Sequence, residues 1–527
     1  MTTEQTIRDY RTHGWWPDES LWYRYLSIAT AHPTGLAVAD DRGVELTHAG
    51  LLDASRRMST GLADAGVQPG DLVLVVMPNR ADWQVVFAAL LRLGAIPMTI
   101  PVTTDGPTLT YLCDLTEVAA VVTSTRLGNT FLGDMAIEAA SKAERATPVI
   151  VVDDVAHMDV VSGGRREPRA IALDDVAHVM TTSSTTGKPK AVTHSSNTLA
   201  ALNFGFTDRF DLRADTPIFM ASPLGHSVGA IHGARLSMYL GAPLILQERW
   251  DPELAIEIIA RYGCDFTSAA TPFLKDLIDA PAPASRRKLA PMRSFLCGGA
   301  AVPPLLMDQA DLQFPDTFVS VLWGMTEGGV TTSTFTSTQE QRRNTAGCGL
   351  PGLELSVVDT ELDHLPVGEA GELVMRGPGV FTGYLGQNDL HAASMTPDGF
   401  FRTGDLARLD ADGYLHLTGR LKDLIIRGGV NISPVMIEDV LAGHPGVRRV
   451  AVVGEPDDRL GERLCAVVVP KGDAQLSLDE LVQWAGTQGL SRRYWPESMR
   501  IVPDMPVTAA GKIRKNQLRD ELFGSQP

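Results

Sequence analysis

The sequence predicts an α/β protein with a large N-terminal domain and a small α+β domain at its C-terminal end. Its 527 residues exceed what one hydrophobic core organises, and roughly 100–200 residues per domain imply several packed units. Strand-like and helix-like segments alternate through the first half, which is typical of parallel sheets covered by helices. From about residue 353 the pattern changes to short, glycine-rich β segments, which predict a β-rich subdomain of the large domain.

The alternation begins with a strand, helix and strand in succession. Thr47 can cap a helix whose apolar residues recur at helical spacing. The apolar run 72–77 predicts a strand, and Asn79 is a plausible cap for a helix over 82–93. The run 95–100 predicts the next strand, so the three elements form a βαβ unit. Further apolar runs predict strands at 149–153, 176–180, 216–220, 243–246 and 318–322.

The last hundred residues carry an apolar pattern of their own. We therefore divide the chain into a large domain, 1–421, and a small domain, 422–527. The segments predicted within the small domain are a helix at 434–441, strands at 447–453 and 464–469, and a helix at 478–486.

Composition excludes several functional classes. The chain has 46 Lys and Arg against 63 Asp and Glu, a formal charge of −17, which argues against a nucleic-acid binder. A local nucleotide site is still compatible with this charge. The five cysteines are widely spaced, which argues against a disulfide framework or a zinc site. With no signal peptide and no apolar run long enough to span a bilayer, we expect a cytoplasmic protein without membrane or nucleic-acid partners.

One segment suits the binding of phosphate groups. Thr181–Lys190, TTSSTTGKPK, follows the predicted strand 176–180 and places hydroxyl donors at almost every position. Gly187 permits close backbone approach, and lysines follow it, so the segment can surround the β- and γ-phosphates of a nucleotide. It is not a Walker loop, because Pro follows Gly187-Lys188. Taken alone, it could equally be a Ser/Thr-rich surface turn.

Five further motifs follow in a fixed order: CGGAAVP at 297–303, WGMTE at 323–327, TGD at 403–405, GRLKD at 419–423 and PVTAAGK at 506–512. Together with TTSSTTGKPK they resemble the acyl-adenylate-forming, AMP-binding enzymes, and most of all the bacterial acyl-CoA synthetases. The resemblance implies an ATP- and Mg²⁺-dependent ligase. Such an enzyme converts a carboxylic acid to acyl-AMP, releases pyrophosphate and transfers the acyl group to coenzyme A.

The resemblance also assigns roles. It implies that Glu327 holds Mg²⁺ and that Thr326 bonds a phosphate oxygen. Asp405 would accept the ribose hydroxyls and Arg420 would contact ribose or phosphate. Lys512 would bridge the carboxylate and the α-phosphate during adenylation. The implied nucleotide-binding set also contains Thr182, Ser183, Ser184, Thr185, Thr186, Gly187, Lys190, Gly298, Gly299, Ala300, Trp323, Gly324 and Met325.

Each of these assignments has a plainer alternative when the residue is taken alone. Glu327 could be a solvated or helix-capping carboxylate, and Asp405 a turn residue after glycine. Trp323 is expected to stack on adenine, but it could also pack the core, and both can hold. Lys512 lies among Arg514 and Lys515 and could belong to a solvated face.

The resemblance implies that the small domain is mobile and rotates between the two half-reactions. Lys422 occupies the hinge position in GRLKD. Gly428 and Gly429 would let the pantetheine arm of coenzyme A pass close to the backbone, although the pair could simply form a turn. The pattern leaves the oligomeric state open, a homodimer included.

The segment PLGHSVG at 223–229 occupies the family's acyl-pocket position. We expect His226, Val228 and Gly229 to line the acyl pocket or its gate, although His226 could also be a hydrogen-bonded core residue. The Asp with which amino-acid-activating members pair the substrate ammonium is absent nearby, which favours a neutral acid. A medium-chain, cyclic, aryl or bulky acid fits this composition.

Two positions depart from the usual phosphate-loop pattern: Ser184 and Ala191 stand where glycine is common. Ser lacks the freedom of glycine at positive φ, so we expect retained but weaker ATP binding. The nearest alternative function is a stand-alone acyl-AMP ligase that passes the adenylate to a carrier protein. Such ligases bear an insertion before the small domain, whereas Gly419 here runs directly into Asp423. A luciferase-like oxygenase and an inactive nucleotide-binding regulator are less favoured, because the implied catalytic residues are all present.

The assignment of Lys512 predicts that the two half-reactions separate in a variant. Lys512→Ala should lower adenylation by several orders of magnitude, because no other ammonium would then meet the reacting carboxylate and phosphate. Thioester formation from supplied acyl-adenylate should stay close to the wild-type rate. The two single-turnover rates check this, with Lys515→Ala as the matched control, and an equal loss in both rates would count against the role.

Overall fold

A computed structural model of the chain describes residues 4–154, 168–169, 171–182, 189–281, 289–299, 302–507 and 513–524. It has the α/β fold that the sequence predicts: parallel sheets packed by helices, an antiparallel β subdomain and a separate C-terminal domain. Within these ranges, no helix has both the length and the apolar character required to cross a bilayer.

The strands within the described residues are, in chain order, β1 Leu36–Asp40, β2 Glu45–Thr47, β3 Leu72–Val76, β4 Ile96–Thr99, β5 Ala120–Thr123, β6 Val149–Val151, β7 Val176–Thr181, β8 Ala191–Ser195, β9 Ile218–Met220, β10 Leu244–Leu246, β11 Phe266–Ala270, β12 Ser294–Gly298, β13 Phe318–Gly324, β14 Val330–Thr332, β15 Cys348–Gly349, β16 Glu354–Val358, β17 Gly371–Arg376, β18 Gly383–Tyr384, β19 Phe401–Leu409, β20 Leu415–Arg420, β21 Ile425–Arg427, β22 Val430–Ile432, β23 Val447–Asp457, β24 Gly461–Pro470 and β25 Ser498–Ile501.

The α-helices in the same ranges are α1 Glu4–Thr12, α2 Leu21–Ala31, α3 His48–Asp64, α4 Ala81–Leu93, α5 Gly106–Thr116, α6 Leu132–Ser141, α7 Ser196–Phe210, α8 Leu236–Leu240, α9 Pro252–Tyr262, α10 Thr271–Asp279, α11 Pro304–Gln313, α12 Gln339–Asn344, α13 Asn388–Ala393, α14 Val435–Ala442, α15 Leu478–Thr487 and α16 Lys515–Phe523. A π-helical segment, Val228–Arg235, precedes α8, and 3₁₀ turns lie at Leu421–Asp423 and Arg492–Tyr494.

Two large sheets form the centre of the N-terminal domain. The first sheet has the order β18-β8-β7-β4-β3-β5-β6 and is parallel from β7 to β6. The second sheet has the order β15-β14-β13-β12-β11-β9-β10-β1-β2 and is parallel from β13 to β1. A crossover connection is needed between parallel strands, and helices such as α4 and α9 supply it. Strand positions predicted from the apolar runs agree with these strands to within a few residues.

The first βαβ unit shows which local signals in the sequence decide the structure. The Thr47 hydroxyl accepts a hydrogen bond from the Gly50 N–H at 3.1 Å and caps α3, as predicted. The prediction that Asn79 caps α4 was wrong, because Arg80 holds that position without a side-chain cap bond. The Asn79 amide instead donates to the Ser222 carbonyl at 2.9 Å and accepts from the Leu224 N–H at 2.8 Å. A polar residue before a helix therefore joins two sheets here.

The loop after β9 is pressed against the carboxyl end of β4. A Cβ atom placed on Gly225 would lie 1.9 Å from the Ile100 carbonyl oxygen, so only glycine fits at this contact. Together with the two Asn79 hydrogen bonds, this contact fixes residues 222–225 of the second sheet onto the first sheet. The predicted acyl segment thus begins at a rigid junction.

The remaining strands form two antiparallel groups. The third sheet, β16-β17-β19-β20, is the β-rich subdomain predicted from residue 353 onward. The C-terminal sheet has the order β22-β21-β24-β23, with β25 parallel to β24, and it packs against α14, α15 and α16. Lys422 lies in the 3₁₀ turn between these two sheets. The division of the chain at residue 421 and a hinge at Lys422 stay predictions.

The contact at Gly225 predicts a strong asymmetry between two glycine substitutions. Gly225→Ala should lower the free energy of unfolding by more than about 2 kcal/mol, because its methyl group would overlap a backbone carbonyl that cannot retreat. Gly61→Ala, inside α3 with no atom within 4 Å of the new Cβ, should raise it by about 0.5–1 kcal/mol. Denaturant unfolding measures both, and equal effects would contradict the packing described.

Candidate active site

Three of the predicted segments lie where strands of the two large sheets end. The phosphate segment leaves β7 at Thr181, and the adenine and WGMTE segments leave β12 and β13 at Gly298 and Gly324. Ligands of open α/β sheets bind at the carboxyl ends of parallel strands. The base of the phosphate segment is closed by a hydrogen bond from the Thr182 N–H to the Lys190 carbonyl at 3.1 Å. The motifs therefore come together through topology.

Glu327 is the buried carboxylate of this site, with an exposed fraction of 5%. The Tyr384 hydroxyl donates to its Oε1 at 2.9 Å, and the Lys190 ammonium lies 4.7 Å from the centre of the Tyr384 ring. Burial raises the pKa of Glu327, whereas the hydrogen bond from Tyr384 and the charges of Lys190 and Arg420 lower it. Three distant segments of the chain thus converge on one carboxylate.

Asp405 and Arg420 form a cross-strand pair in the third sheet. They are register partners on β19 and β20, and the Arg420 Nε–H donates to Asp405 Oδ1 at 2.6 Å. The Trp323 indole N–H donates to Asp405 Oδ2 at 2.8 Å. Asp405 is only 4% exposed, so both partners are needed to compensate its charge. Each carboxylate oxygen keeps a lone pair that a ribose hydroxyl could use.

Trp323 is a core residue in this structure. It packs with Phe381, Phe401 and Met375 in the cluster between the third sheet and β13. Its stacking on adenine stays a prediction. The alternative role, packing in the core, is present in its contacts.

Thr326 is held by both its backbone and its side chain. Its carbonyl oxygen accepts a hydrogen bond from His194 Nε2 at 2.8 Å, and its hydroxyl lies 3.5 Å from the Ser227 hydroxyl. Burial lowers the pKa of His194 to about 4, so the imidazole is neutral at physiological pH and donates to the carbonyl. Ser227 belongs to the acyl segment, so this contact joins that segment to WGMTE.

The acyl segment turns sharply before the π-helical segment. The Val228 N–H donates to His226 Nδ1 at 3.3 Å, and a Cβ atom on Gly229 would lie 2.2 Å from the Pro223 carbonyl oxygen. Burial lowers the pKa of His226 to about 4, so its ring is uncharged at neutral pH. His226 is therefore a buried, hydrogen-bonded residue, as the alternative interpretation expected. The role of His226, Val228 and Gly229 in an acyl pocket stays a prediction.

Gly428 and Gly429 form the two-residue turn between β21 and β22. Both have positive φ, 57° and 81°, as a tight hairpin turn requires. The plainer alternative for this pair is therefore present, and passage of a pantetheine arm beside it stays a prediction. Lys422 has its pKa lowered by burial and by the neighbouring Arg420 charge.

Several predicted site residues lie outside the described residues. These are Ser183, Ser184, Thr185, Thr186, Gly187, Ala300 and Lys512. Their predicted roles in binding the nucleotide and in catalysis stay predictions.

The donor set at Glu327 fits magnesium held largely by a substrate. Across the described residues, no group of three or more His, Cys, Asp or Glu side chains is arranged to hold a metal ion. Magnesium prefers hard oxygen ligands and usually keeps waters and substrate phosphates, so one buried carboxylate is enough. When bound with a triphosphate, the ion would neutralise part of the phosphate charge.

Sequence reasoning missed Tyr384 and His194. Tyr384 lies in the aromatic and glycine-rich run FTGYLG on β18, and it is the direct partner of Glu327. His194 follows the phosphate segment on β8 and bonds the Thr326 carbonyl. A Gly-Tyr pair between turn residues was the available signal for Tyr384, whereas a single histidine in an apolar strand gives none.

Comparisons with known proteins agree with this arrangement. The profile of the AMP-binding enzyme family matches residues 27–385, and that of the AMP-binding enzyme C-terminal domain matches residues 436–512. The medium-chain fatty-acid–CoA ligase of Escherichia coli (strain K12) is 30% identical over 535 residues, covering 99% of this chain and 93% of the relative. The salicyl-AMP ligase / salicyl-S-ArCP synthetase of Mycobacterium tuberculosis (strain H37Rv) is 30% identical over 527 residues, with 97% and 92% covered.

A solved structure extends the similarity to three dimensions. The crystal structure of ATP-bound MatB from Rhodopseudomonas palustris aligns with a TM-score of 0.85 and 25% identity, covering 95% of this chain and 98% of the other. The alignment includes both the large domain and the C-terminal sheet.

The raised pKa of Glu327 predicts a stability difference that depends on pH. Below the ordinary pKa of glutamate, both folded and unfolded states are protonated, and Glu327→Gln should unfold at the wild-type temperature. As pH rises through the raised pKa, only the wild type must bury a charge, so the variant should become the more stable protein. Thermal unfolding from about pH 4 to pH 8 measures this. The exposed control Glu369→Gln should give a flat difference, and a flat profile for Glu327→Gln would refute the burial cost.

Proposed function

Because the chain belongs to the AMP-binding enzyme family, we propose that it activates a neutral carboxylic acid as its acyl-AMP and then transfers the acyl group to coenzyme A. In these terms it is an acid–thiol ligase that consumes ATP and releases AMP and pyrophosphate. The single observation that carries the proposal is the convergence of Lys190, Glu327, Asp405 and Arg420 at one place, where their charges interact.

The adenylation step is a displacement at phosphorus. A carboxylate oxygen of the acid forms a bond to the α-phosphorus of ATP, and the bond from that phosphorus to the bridging oxygen of pyrophosphate breaks. No proton or electron is exchanged, so the enzyme has to bring anions together and stabilise the charge on the phosphoryl oxygens. Lys190 and Arg420 supply fixed positive charge beside Glu327. Lys512, in the proposed role, supplies a third charge at the reacting oxygens.

Recognition of the nucleoside is assigned to Asp405. Its carboxylate is already oriented by Arg420 and Trp323, so a ribose would meet a preorganised acceptor. Trp323 contributes through this hydrogen bond and Arg420 through its remaining N–H donors, which face phosphate or ribose.

The second step is the attack of a thiol on the acyl-adenylate. The sulfur of coenzyme A forms a bond to the acyl carbon, its proton leaves to solvent, and AMP departs with the former carboxylate oxygen. We propose that the small domain rotates about Lys422 between the two steps, so that the Gly428-Gly429 turn replaces the Lys512 segment at the cleft. The direct passage from Gly419 to Asp423, without an insertion, supports coenzyme A as the acceptor.

A neutral acid without an ammonium group suits the acyl segment. Residues 222–230 contain no carboxylate, and His226 is uncharged at neutral pH. The names of the relatives, a medium-chain fatty-acid ligase and a salicyl ligase, support apolar and aryl acids as the first to be tested.

A carrier protein is the second candidate acceptor. The name of the mycobacterial relative, salicyl-S-ArCP synthetase, favours it, because that protein loads a carrier thiol. In that case the first half-reaction is unchanged, and the thiol that attacks the adenylate is attached to a protein.

The proposal predicts acid-dependent formation of AMP, pyrophosphate and a thioester. Purified protein with ATP and Mg²⁺ should release pyrophosphate only with particular acids from a panel of medium-chain, cyclic and aryl carboxylates. Added coenzyme A should raise the turnover, and mass spectrometry should detect the acyl-CoA. EDTA should abolish pyrophosphate release. Release without any thioester would favour the carrier-protein alternative, and no release with any acid would contradict adenylation.

A further inference from the structure

Two small cavities of the large domain share Arg235 in their lining. Both cavities are lined by Leu21, Ser196 and Arg235, so they meet at that side chain. Arg235 is the last residue of the π-helical segment Val228–Arg235, and the cavities lie where this segment approaches α2 and α7. Neither cavity is lined by Glu327, Asp405 or Arg420, so they are distinct from the candidate active site.

Arg235 is a buried cation that forms no ion pair with any of the described residues. Only 1% of the residue is exposed, and neither Nε nor Nη1 has a hydrogen-bond partner in the described part of the chain. Burial lowers its pKa to about 9, so the guanidinium is still charged at neutral pH. A buried, unpaired charge is strongly destabilising unless an anion or several acceptors compensate it.

The second cavity is lined by donors and apolar groups. Ser20 and Trp22 line it, and the Ser20 hydroxyl and the Trp22 indole N–H are both buried without a partner among the described residues. Ser20 precedes α2 but makes no capping hydrogen bond, so its hydroxyl is not used by the helix. Among the described residues, the rest of the lining is Leu21, Leu91, Ile171, Ala177, Ser196 and Arg235, and none of these carries a carboxylate.

The first cavity has a different character. It is lined by Glu19 and by Asn203, whose Oδ1 is a buried acceptor without a partner within the described ranges. Glu19 pairs with Arg24 at 3.5 Å, and its side chain is 45% exposed. An acceptor beside a cation suits a bridging water, so the first cavity fits water.

We propose that the second cavity binds a small monovalent anion of about the size of chloride, held by Arg235, Trp22 and Ser20. The cavity has room for little more than one water-sized species, which favours a small anion over phosphate or sulfate. The anion supplies the negative charge that Arg235 lacks and accepts hydrogen bonds from the N–H and O–H groups that lack partners. Water would satisfy the donors but would leave the charge of Arg235 uncompensated.

The site is connected along the chain to segments of the candidate active site. Ser196, which lines the cavity, is the first residue of α7. His194, two residues earlier in the chain, donates a hydrogen bond to the Thr326 carbonyl. Arg235 ends the π-helical segment whose first residue, Val228, belongs to the acyl segment. A bound anion therefore connects α2 to the start of α7 and to the end of the π-helical segment.

Bromide is the direct probe, because it resembles chloride in size and has an anomalous X-ray signal. Crystals of the wild-type protein grown or soaked in bromide should show one anomalous peak within hydrogen-bond distance of Arg235, Trp22 and Ser20. Density without an anomalous signal would mean a water and would overturn the proposal. A Glu19 carboxylate found on Arg235, with no halide peak, would overturn it as well.

Solution stability gives an independent readout. At fixed ionic strength, replacing gluconate by chloride or bromide should raise the Tm of the wild type by about 2 °C. Arg235→Met should remove this dependence on anion identity, whereas Arg213→Met, which loses an exposed pair with Asp211, should keep it. If Arg235→Met does not fold, the wild-type comparison still decides. Identical wild-type Tm values in gluconate and in chloride would contradict the site.

Discussion

The candidate active site contains two buried carboxylates, and their charges have to be compensated by neighbouring donors and cations. Glu327 and Asp405 are almost fully excluded from water, which is costly for a charged group unless donors and opposite charges surround it. Their partners are Tyr384 from β18, Trp323 from β13 and Arg420 from β20, so three sheets must meet at one place. Loss of one of these partners would leave a buried carboxylate under-compensated.

Much of the fold could be predicted from sequence because its elements depend on local patterns. Apolar runs gave β3, β7 and β13, and Thr47 gave the start of α3. Asn79 shows where local reasoning fails, since its amide bonds residues 143 and 145 positions away in sequence rather than the helix it precedes. A capping signal reports a short-range preference, and a tertiary contact can override it.

Only part of the candidate site could be predicted from the sequence. Motifs identified Glu327, Asp405 and Arg420, because each motif keeps its residues within a few positions of one another. Motifs do not contain the side chains that complete the site from other strands, such as Tyr384 and His194. The burial of Arg235 was not predicted, since nothing in the sequence distinguishes a buried arginine from an exposed one. Contacts between residues on different sheets can be identified only from the structure, whereas the spacing of residues within one motif can be read from the sequence.

The most direct measurement is the affinity for AMP, determined by isothermal titration calorimetry with the wild type and Asp405→Asn. If Asp405 accepts the ribose hydroxyls, the variant should bind at least about tenfold more weakly, since hydrogen bonds to a charged acceptor contribute roughly 1.5–3 kcal/mol each. Asp412→Asn, in the exposed turn between β19 and β20, should bind AMP as the wild type does. Equal affinity in all three proteins would contradict the assignment of this cleft to the nucleotide.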